Sequence, residues 1–217
     1  MIWADEADRV TSDFLQSTAT ELATVLRGSK ALTHVAGSRD LWCWVATADS
    51  PQEAALAMLE PALRGRDVRV AMGFPGRGIE GFRSSHPEAQ AAQRLSLVAK
   101  HRQPVVAYRD VEMLSLALEN DDLLRRMVER EVGPLYADPS AERNLAPVRE
   151  TVLTYLTNRM NVEATADQLF VHKNTVRYRL ARAEELLGRQ LSQRPAQLEL
   201  ALRYLAWFGR PDEVAGR

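Results

Sequence analysis

The sequence predicts an α+β protein, with an α/β sandwich over residues 1–112, connecting helices and a linker over 113–140, and an all-helical bundle over 141–217. Three observations predict it. Short apolar runs alternate with helix-period stretches as far as Tyr108, only helix-period stretches follow Asp110, and Tyr136 to Asn144 is a short polar segment between them. A content of 46% apolar and 26% charged residues in 217 is that of a globular chain with enough length for a buried core.

Each element has its own signal. Residues 5–27 carry Val10, Phe14, Leu15, Thr18, Leu22, Val25 and Leu26 at helical spacing and end at Arg27-Gly28, an amphipathic helix with a glycine stop. Ala31 to Ala36 and Leu41 to Ala46 flank Gly37-Ser38-Arg39-Asp40, the pattern of a β-hairpin. Ser50-Pro51-Gln52-Glu53 is a capping box that predicts a helix to Arg64, ahead of Gly65. Val68 to Phe74 reads as a strand and Pro75 to Gly81 as a glycine-rich loop. Ser85-His86-Pro87-Glu88 opens a helix to about Lys100, and Val105 to Tyr108 is a last strand.

Two helices follow, Asp110 to Leu118 and Asn120 to Val132, with Asp110 and Asn120 as caps. The stripe Leu123, Leu124, Met127, Val128 and Val132 reads as core or a helix-helix contact, ended by Gly133-Pro134. Pro147 to Asn158 is an amphipathic helix. A final helix from Pro195 through Trp207 turns Leu198, Leu202 and Leu205 inward to close a bundle of four or five helices.

The net charge of −1 argues by itself against a nucleic-acid partner, but the charge is unevenly spread. From Arg143 onward there are 12 Lys+Arg against 8 Asp+Glu, while the preceding residues have 16 against 21. Cys43 is the only cysteine, so no intrachain disulfide can form, and between Trp42 and Trp44 it reads as a structural thiol. The N-terminus has no cationic start followed by an apolar stretch, and no segment reaches the roughly 20 apolar residues of a membrane span, which together predict a cytoplasmic protein with no membrane partner.

Residues able to carry chemistry are sparse in the first half. Gly73-Phe-Pro-Gly-Arg-Gly78 lacks the Lys-Ser/Thr of a phosphate-binding loop and the spacing of a dinucleotide fingerprint, so it reads as a plain connection. His34, on a strand, and His86, at a helix start, have no ligand partner at a useful spacing. Arg39 and Asp40 read as ordinary turn residues. No cofactor or metal is predicted.

The second half is different. Val176, Leu180, Ala183 and Leu187 form an apolar seam on a helix whose other sides carry Lys173, Asn174, Thr175, Arg177, Tyr178, Arg179 and Arg182, with no acid before Glu184. Alone, such a helix is more often a solvated face than a DNA reader. Just before it, Asn161 to Phe170 reads as a short helix with Val162, Ala166 and Leu169 inward, and Phe170-Val171-His172 as a turn. The small Ala166 permits a close crossing, with Val171 and Val176 filling the angle, which is the packing of a helix-turn-helix.

Within that helix, Asn174 and Arg177 are the expected base readers, because an amide can pair with adenine and a guanidinium with guanine. Lys173, Arg179 and Arg182 are expected at phosphates. Thr175 either binds phosphate or satisfies backbone, Tyr178 either stacks on the sugar-phosphate rim or packs on a neighbouring helix, and His172 caps the helix or touches phosphate.

The string Leu169-Phe-Val-His-Lys-Asn-Thr-Val-Arg-Tyr-Arg-Leu180, followed by Glu184-Glu-Leu-Leu-Gly188, closely resembles the C-terminal helix-turn-helix of the PucR/CdaR family of bacterial transcription regulators, from about Leu145 to Phe208. Gly81-Phe-Arg-Ser-Ser-His-Pro-Glu-Ala-Gln-Ala-Ala, within Phe74 to Leu97, resembles the degenerate GGDEF-like domain that precedes it in that family. The hairpin Gly37-Ser-Arg-Asp-Leu-Trp would stand where the nucleotide cyclase signature stands, without its Gly-Gly pair and its Glu. Close backbone approach to phosphate and a metal-binding carboxylate are thus both missing.

The resemblance implies sequence-specific binding of double-stranded DNA. A single recognition helix covers too few base pairs to be selective, so a homodimer or higher homo-oligomer is expected. A small-molecule effector would act through a domain outside this chain. The rival expectations are an enzyme relic derived from a nucleotide cyclase, and a module that uses its C-terminal helices only for protein contact.

Overall fold

The computed structural model describes residues 1–5, 11–51, 53–63, 65–136 and 139–211, with the side chains of Glu53, Ala54 and Pro139 left aside. Val10 of the first predicted helix, Gln52 of the capping box, Arg64 and the Ala137-Asp138 step of the predicted linker lie outside the described residues. The chain divides into two compact units, residues 1–115 and 116–217.

The first unit is built on a mixed five-stranded sheet of order β2-β3-β1-β4-β5. The strands are β1 (Ile2–Trp3), β2 (Leu32–Val35), β3 (Asp40–Trp44), β4 (Arg69–Met72) and β5 (Val105–Ala107). The predicted hairpin forms as β2 and β3, antiparallel with His34 opposite Trp42. Its neighbour is not a strand the periodicity indicated. Ile2 and Trp3, to which the sequence pattern assigned no element, form the middle strand, with Ile2 opposite Leu41 on one side and Val70 on the other. A two-residue strand has no period to detect; its evidence is tertiary, both residues being almost fully buried.

Strand alternation gives the sheet two faces. On one, Ile2, Leu41 and Val70 pack with Leu15, Ala19 and Leu22 of α1 (Ser12–Val25), joined by Leu59 and Leu63. Thr11 caps α1, its hydroxyl accepting from the Phe14 amide at 3.3 Å. The helix predicted to reach Arg64 is broken into α2 (Glu53–Ala57) and α3 (Leu59–Ala62). On the other face lies α4 (Gly78–Val98). Asp40 accepts from Gln93 Nε2 at 2.9 Å, and Arg69 donates to the Ser96 carbonyl at 2.9 Å while its guanidinium lies 4.9 Å from the centre of the Trp3 ring.

α4 corrects the prediction that a helix starts at Ser85. It begins seven residues earlier, at Gly78, and carries Pro87 inside it, so the proline is not a start signal here and His86 is not at a helix start. Packing decides this. Phe82 stacks on Trp44 at 4.6 Å and His86 meets Trp42 edge-on at 4.4 Å, so the early turns lie on the hairpin's aromatics. The glycines are needed for the same reason: a Cβ on Gly81 would lie 2.0 Å from the Gly76 carbonyl carbon, so the loop after β4 can fold back on its own helix only without side chains there. His34 also joins the cluster, 5.2 Å from Trp42. Cys43 is half-buried, and burial pushes its thiol above the usual range, consistent with a structural role.

α5 (Tyr108–Ala117) starts immediately after β5, which ends at Ala107 and not at Tyr108; Asp110 therefore sits inside the first turn and not at its cap. The second unit is all helical: α6 (Asp121–Val132), α7 (Glu142–Thr157), α8 (Val162–Leu169), α9 (Lys173–Leu187) and α10 (Pro195–Phe208). Asn120 occupies the cap position of α6 without a side-chain bond. α7 begins at Glu142, ahead of the predicted Pro147, which lies within it. Arg149 donates to the Leu135 carbonyl at 2.9 Å and pairs with Glu142, securing that first turn. The core joins Val128 and Val132 of α6 to Val148 and Val152 of α7, Val176 and Ala183 of α9, and Leu198, Leu202 and Tyr204 of α10, all buried. Each large apolar side chain removed from water here contributes about 1.5–3 kcal/mol.

Candidate nucleic-acid interface

The second unit presents two short-connected helices, each with its ends marked in the sequence. α7 ends at Thr157 with Asn158 in the cap position, after which Arg159 and Met160 adopt left-handed φ values of 54° and 60°. Asn161 then caps α8, its Oδ1 accepting from the amides of Glu163 at 2.9 Å and Ala164 at 3.1 Å, which satisfies two of the donors a helix start leaves unpaired. Asn158 donates to Gln168 Oε1 at 2.8 Å and ties the end of α7 to α8. Ala166 is buried, as a close crossing requires, beside the fully buried Thr165.

The turn falls at the predicted Phe170-Val171-His172. Phe170 closes α8 with φ 54°, and the Val171 amide reaches the Ala166 carbonyl at 3.1 Å. This is the glycine-type helix end carried by a non-glycine residue. The Phe170 ring is 96% exposed, which the sequence reading missed; its place at the left-handed end of α8, outside the helical period, was the available signal.

His172 caps α9, Nδ1 accepting from the Asn174 amide at 3.2 Å, so of its two predicted roles the capping one is present. Val176, Leu180 and Ala183 are buried along the predicted seam, and Gly188 ends the helix in the left-handed region with φ 65°. On the outer sides Lys173, Asn174, Arg177 and Arg182 are exposed. Arg177 Nη1 donates to Asn174 Oδ1 at 3.2 Å, pairing the two expected base readers one turn apart on the surface. Tyr178 is 72% exposed and so is not packed on a neighbouring helix.

Three other residues are engaged within the unit. Arg179 is half-buried and donates to Thr151 Oγ1 of α7 at 3.1 Å, so part of its guanidinium braces α9 against α7. Arg182 pairs with Glu185 at 2.7 Å, and Thr175 is half-buried in the first turn. No acid occupies the first turn of α9. The positive end of the helix and Lys173 therefore act together at that end, an arrangement that attracts anions. Among the described residues no group of three or more His, Cys, Asp or Glu is arranged to hold a metal ion, and no helix is long and apolar enough to cross a membrane.

A mixed α/β unit followed by a helix-turn-helix unit with a cationic second helix defines the class, a two-unit helix-turn-helix protein. The chain belongs to the PucR family: residues 1–95 match the GGDEF-like domain and residues 148–206 the PucR C-terminal helix-turn-helix domain. It is 30% identical over 141 residues to an uncharacterised protein from the pkwA 5′ region of Thermomonospora curvata, covering 64% of this chain and 73% of that one. It is 46% identical over 55 residues to the purine catabolism regulatory protein of Bacillus subtilis, a match of 24% of this chain and 10% of that regulator's length. A solved structure, the regulator of polyketide synthase expression from Bifidobacterium adolescentis, is 24% identical, with 91% of this chain and 77% of that one covered and a TM-score of 0.33.

Proposed function

We propose that this protein is a cytoplasmic, non-enzymatic transcription regulator that binds operator DNA as a homodimer or higher homo-oligomer, with α9 in the major groove. The observation that carries the reading is the exposed Asn174 and Arg177 pair on the first two turns of α9, flanked by Lys173 and by a helix start free of acids. Asn174 and Arg177 face base edges, and each such contact gives about 1–3 kcal/mol of discrimination. Lys173, Arg182 and Thr175 serve phosphates, with Tyr178 against the sugar-phosphate rim. Arg179 keeps its brace to Thr151 and offers its remaining donors to a phosphate, and His172 holds the helix start.

The experiment is selection of duplexes from a random pool, followed by salt-dependent binding of the selected and a random duplex. Arg177→Ala is expected to lose preference for the selected duplex by about 1–3 kcal/mol. Lys173→Ala is expected to weaken binding to both duplexes and to reduce the salt slope by about one. Equal losses on both duplexes for both variants count against these roles, and a single monomeric species in sedimentation counts against the oligomer.

A further inference from the structure

We infer that Glu131 is a positioning residue for the recognition helix, and that α6 is thereby part of the DNA-reading machinery. The inference rests on the DNA-binding reading above and adds to it a residue that lies in neither of the two matched family regions.

Glu131 sits on the last turn of α6 with its side chain only 2% exposed, a burial that an ionised carboxylate tolerates only when cations surround it. Its Oε2 accepts from Arg189 Nη2 at 2.8 Å. Its Oε1 lies 3.0 Å from Arg194 Nη1 and 3.5 Å from Arg130 Nε. Arg189 immediately follows Gly188, the left-handed residue that ends α9, and Arg194 immediately precedes Pro195, the first residue of α10. One buried carboxylate thus holds both ends of the connector that leaves the recognition helix.

The connector is fixed from its other side as well, because Glu184 of α9 accepts from the Leu191 amide at 3.0 Å while the Leu191 side chain is buried. α6 itself is anchored in the unit's core through Val128 and Val132, both fully buried. The axis of α9 is therefore referred to α6 at its C-terminal end and to α7, through Arg179 and Thr151, nearer its middle. A helix that reads base edges must be held in direction as well as in place, since contacts on successive turns are met together or not at all. Glu131 also pairs the charges of two arginines, Arg189 and the 45% exposed Arg194, that would otherwise be unopposed. Without it, Arg189 and Arg194 become cations free to meet phosphates, which adds affinity without sequence preference.

The test uses the full chain, with a duplex selected by the wild-type protein and a random duplex, each titrated across a range of salt. Glu131→Gln is expected to lower the preference for the selected duplex roughly tenfold, with a salt slope that is unchanged or steeper. A residue that only supports the fold would lower both affinities in one proportion, as the folded fraction falls. Arg194→Gln, at a side chain 45% exposed, leaves Arg189 on Glu131 and keeps the fold; it is expected to lower the preference by a smaller factor in the same direction. Unchanged preference in both variants, or parallel loss on both duplexes, overturns the proposal. A pool from which wild-type protein enriches no sequence overturns instead the DNA-binding reading on which the proposal rests, and the proposal with it.

Discussion

Ile2 finds its partners at Leu41 and Val70, whereas Asn161 finds its partners two and three residues along the chain. The two units differ in this respect throughout. In residues 1–115 the middle of the sheet exists only because segments distant in sequence meet, and its aromatic cluster joins a hairpin to a helix some forty residues later. In residues 116–217 the helix-turn-helix is specified by neighbours: Asn161 and His172 cap, Phe170 and Gly188 terminate, and Ala166 and Val176 pack between. The difference teaches where side chains are free to act. A fold written in local signals needs only one stripe of each helix for its core, so the other sides of α9 can carry an ordered set of cations and amides. A fold written in long-range pairing commits both faces of its sheet to helices.

The comparison can be broken or sharpened by four variants. The largest effect is expected for Leu41→Ala, which removes a fully buried side chain opposite Ile2 and should cost the first unit about 2–5 kcal/mol. Denaturant unfolding followed by tryptophan fluorescence measures it, because Trp3, Trp42 and Trp44 all lie in that unit. A cost below about 1 kcal/mol would show that the sheet does not depend on this non-local pairing.

Gly81→Ala comes next, at about 1–3 kcal/mol, since the added carbon meets the Gly76 backbone rather than a movable side chain. The same titration reads it, and a neutral result would mean that the loop after β4 relaxes freely. Asn161→Ala tests the locally specified unit. Losing the cap should cost about 1 kcal/mol, seen as a lower midpoint of helix loss by circular dichroism, and an effect as large as that of Leu41→Ala would erase the contrast.

The smallest effect concerns pH. Burial holds the His86 imidazole below its ordinary pKa, so the unfolded chain takes up this proton more readily than the folded one. The stability due to neutral His86 is present above the unfolded pKa and is lost as pH falls through the histidine range, from about pH 7 to pH 5. A shallow decline in stability of the first unit over that window is expected to flatten in His86→Gln. An identical decline in the variant would assign the pH dependence to other groups.

The sequence was read correctly where signals are short-range and failed where they are not. The hairpin around Gly37 to Asp40, the strands within 68–74 and 105–108, the turn at Phe170 to His172 and the glycine stop at 188 all follow from residues within a few positions of one another. The start of α4 was misread because Ser85 and Pro87 form a good local helix signal, whereas the early turns are held by Trp44 against Phe82 and by Gly76 against Gly81. On α9 the exposure of Asn174 and Arg177 follows from the period of the apolar seam. The tie of Arg179 to Thr151 does not, because it depends on where α7 crosses.

The amino-acid sequence by itself determined the helix-turn-helix, its seam, its caps and the cationic sides of its second helix, because helix periodicity and capping act over three or four residues. Tertiary structure alone decided that Ile2 and Trp3 lie at the centre of the sheet, that α4 begins at Gly78, and that a glutamate on α6 is buried among the arginines at the end of α9. Each of these rests on burial or charge pairing between segments far apart in the chain, which no local pattern encodes.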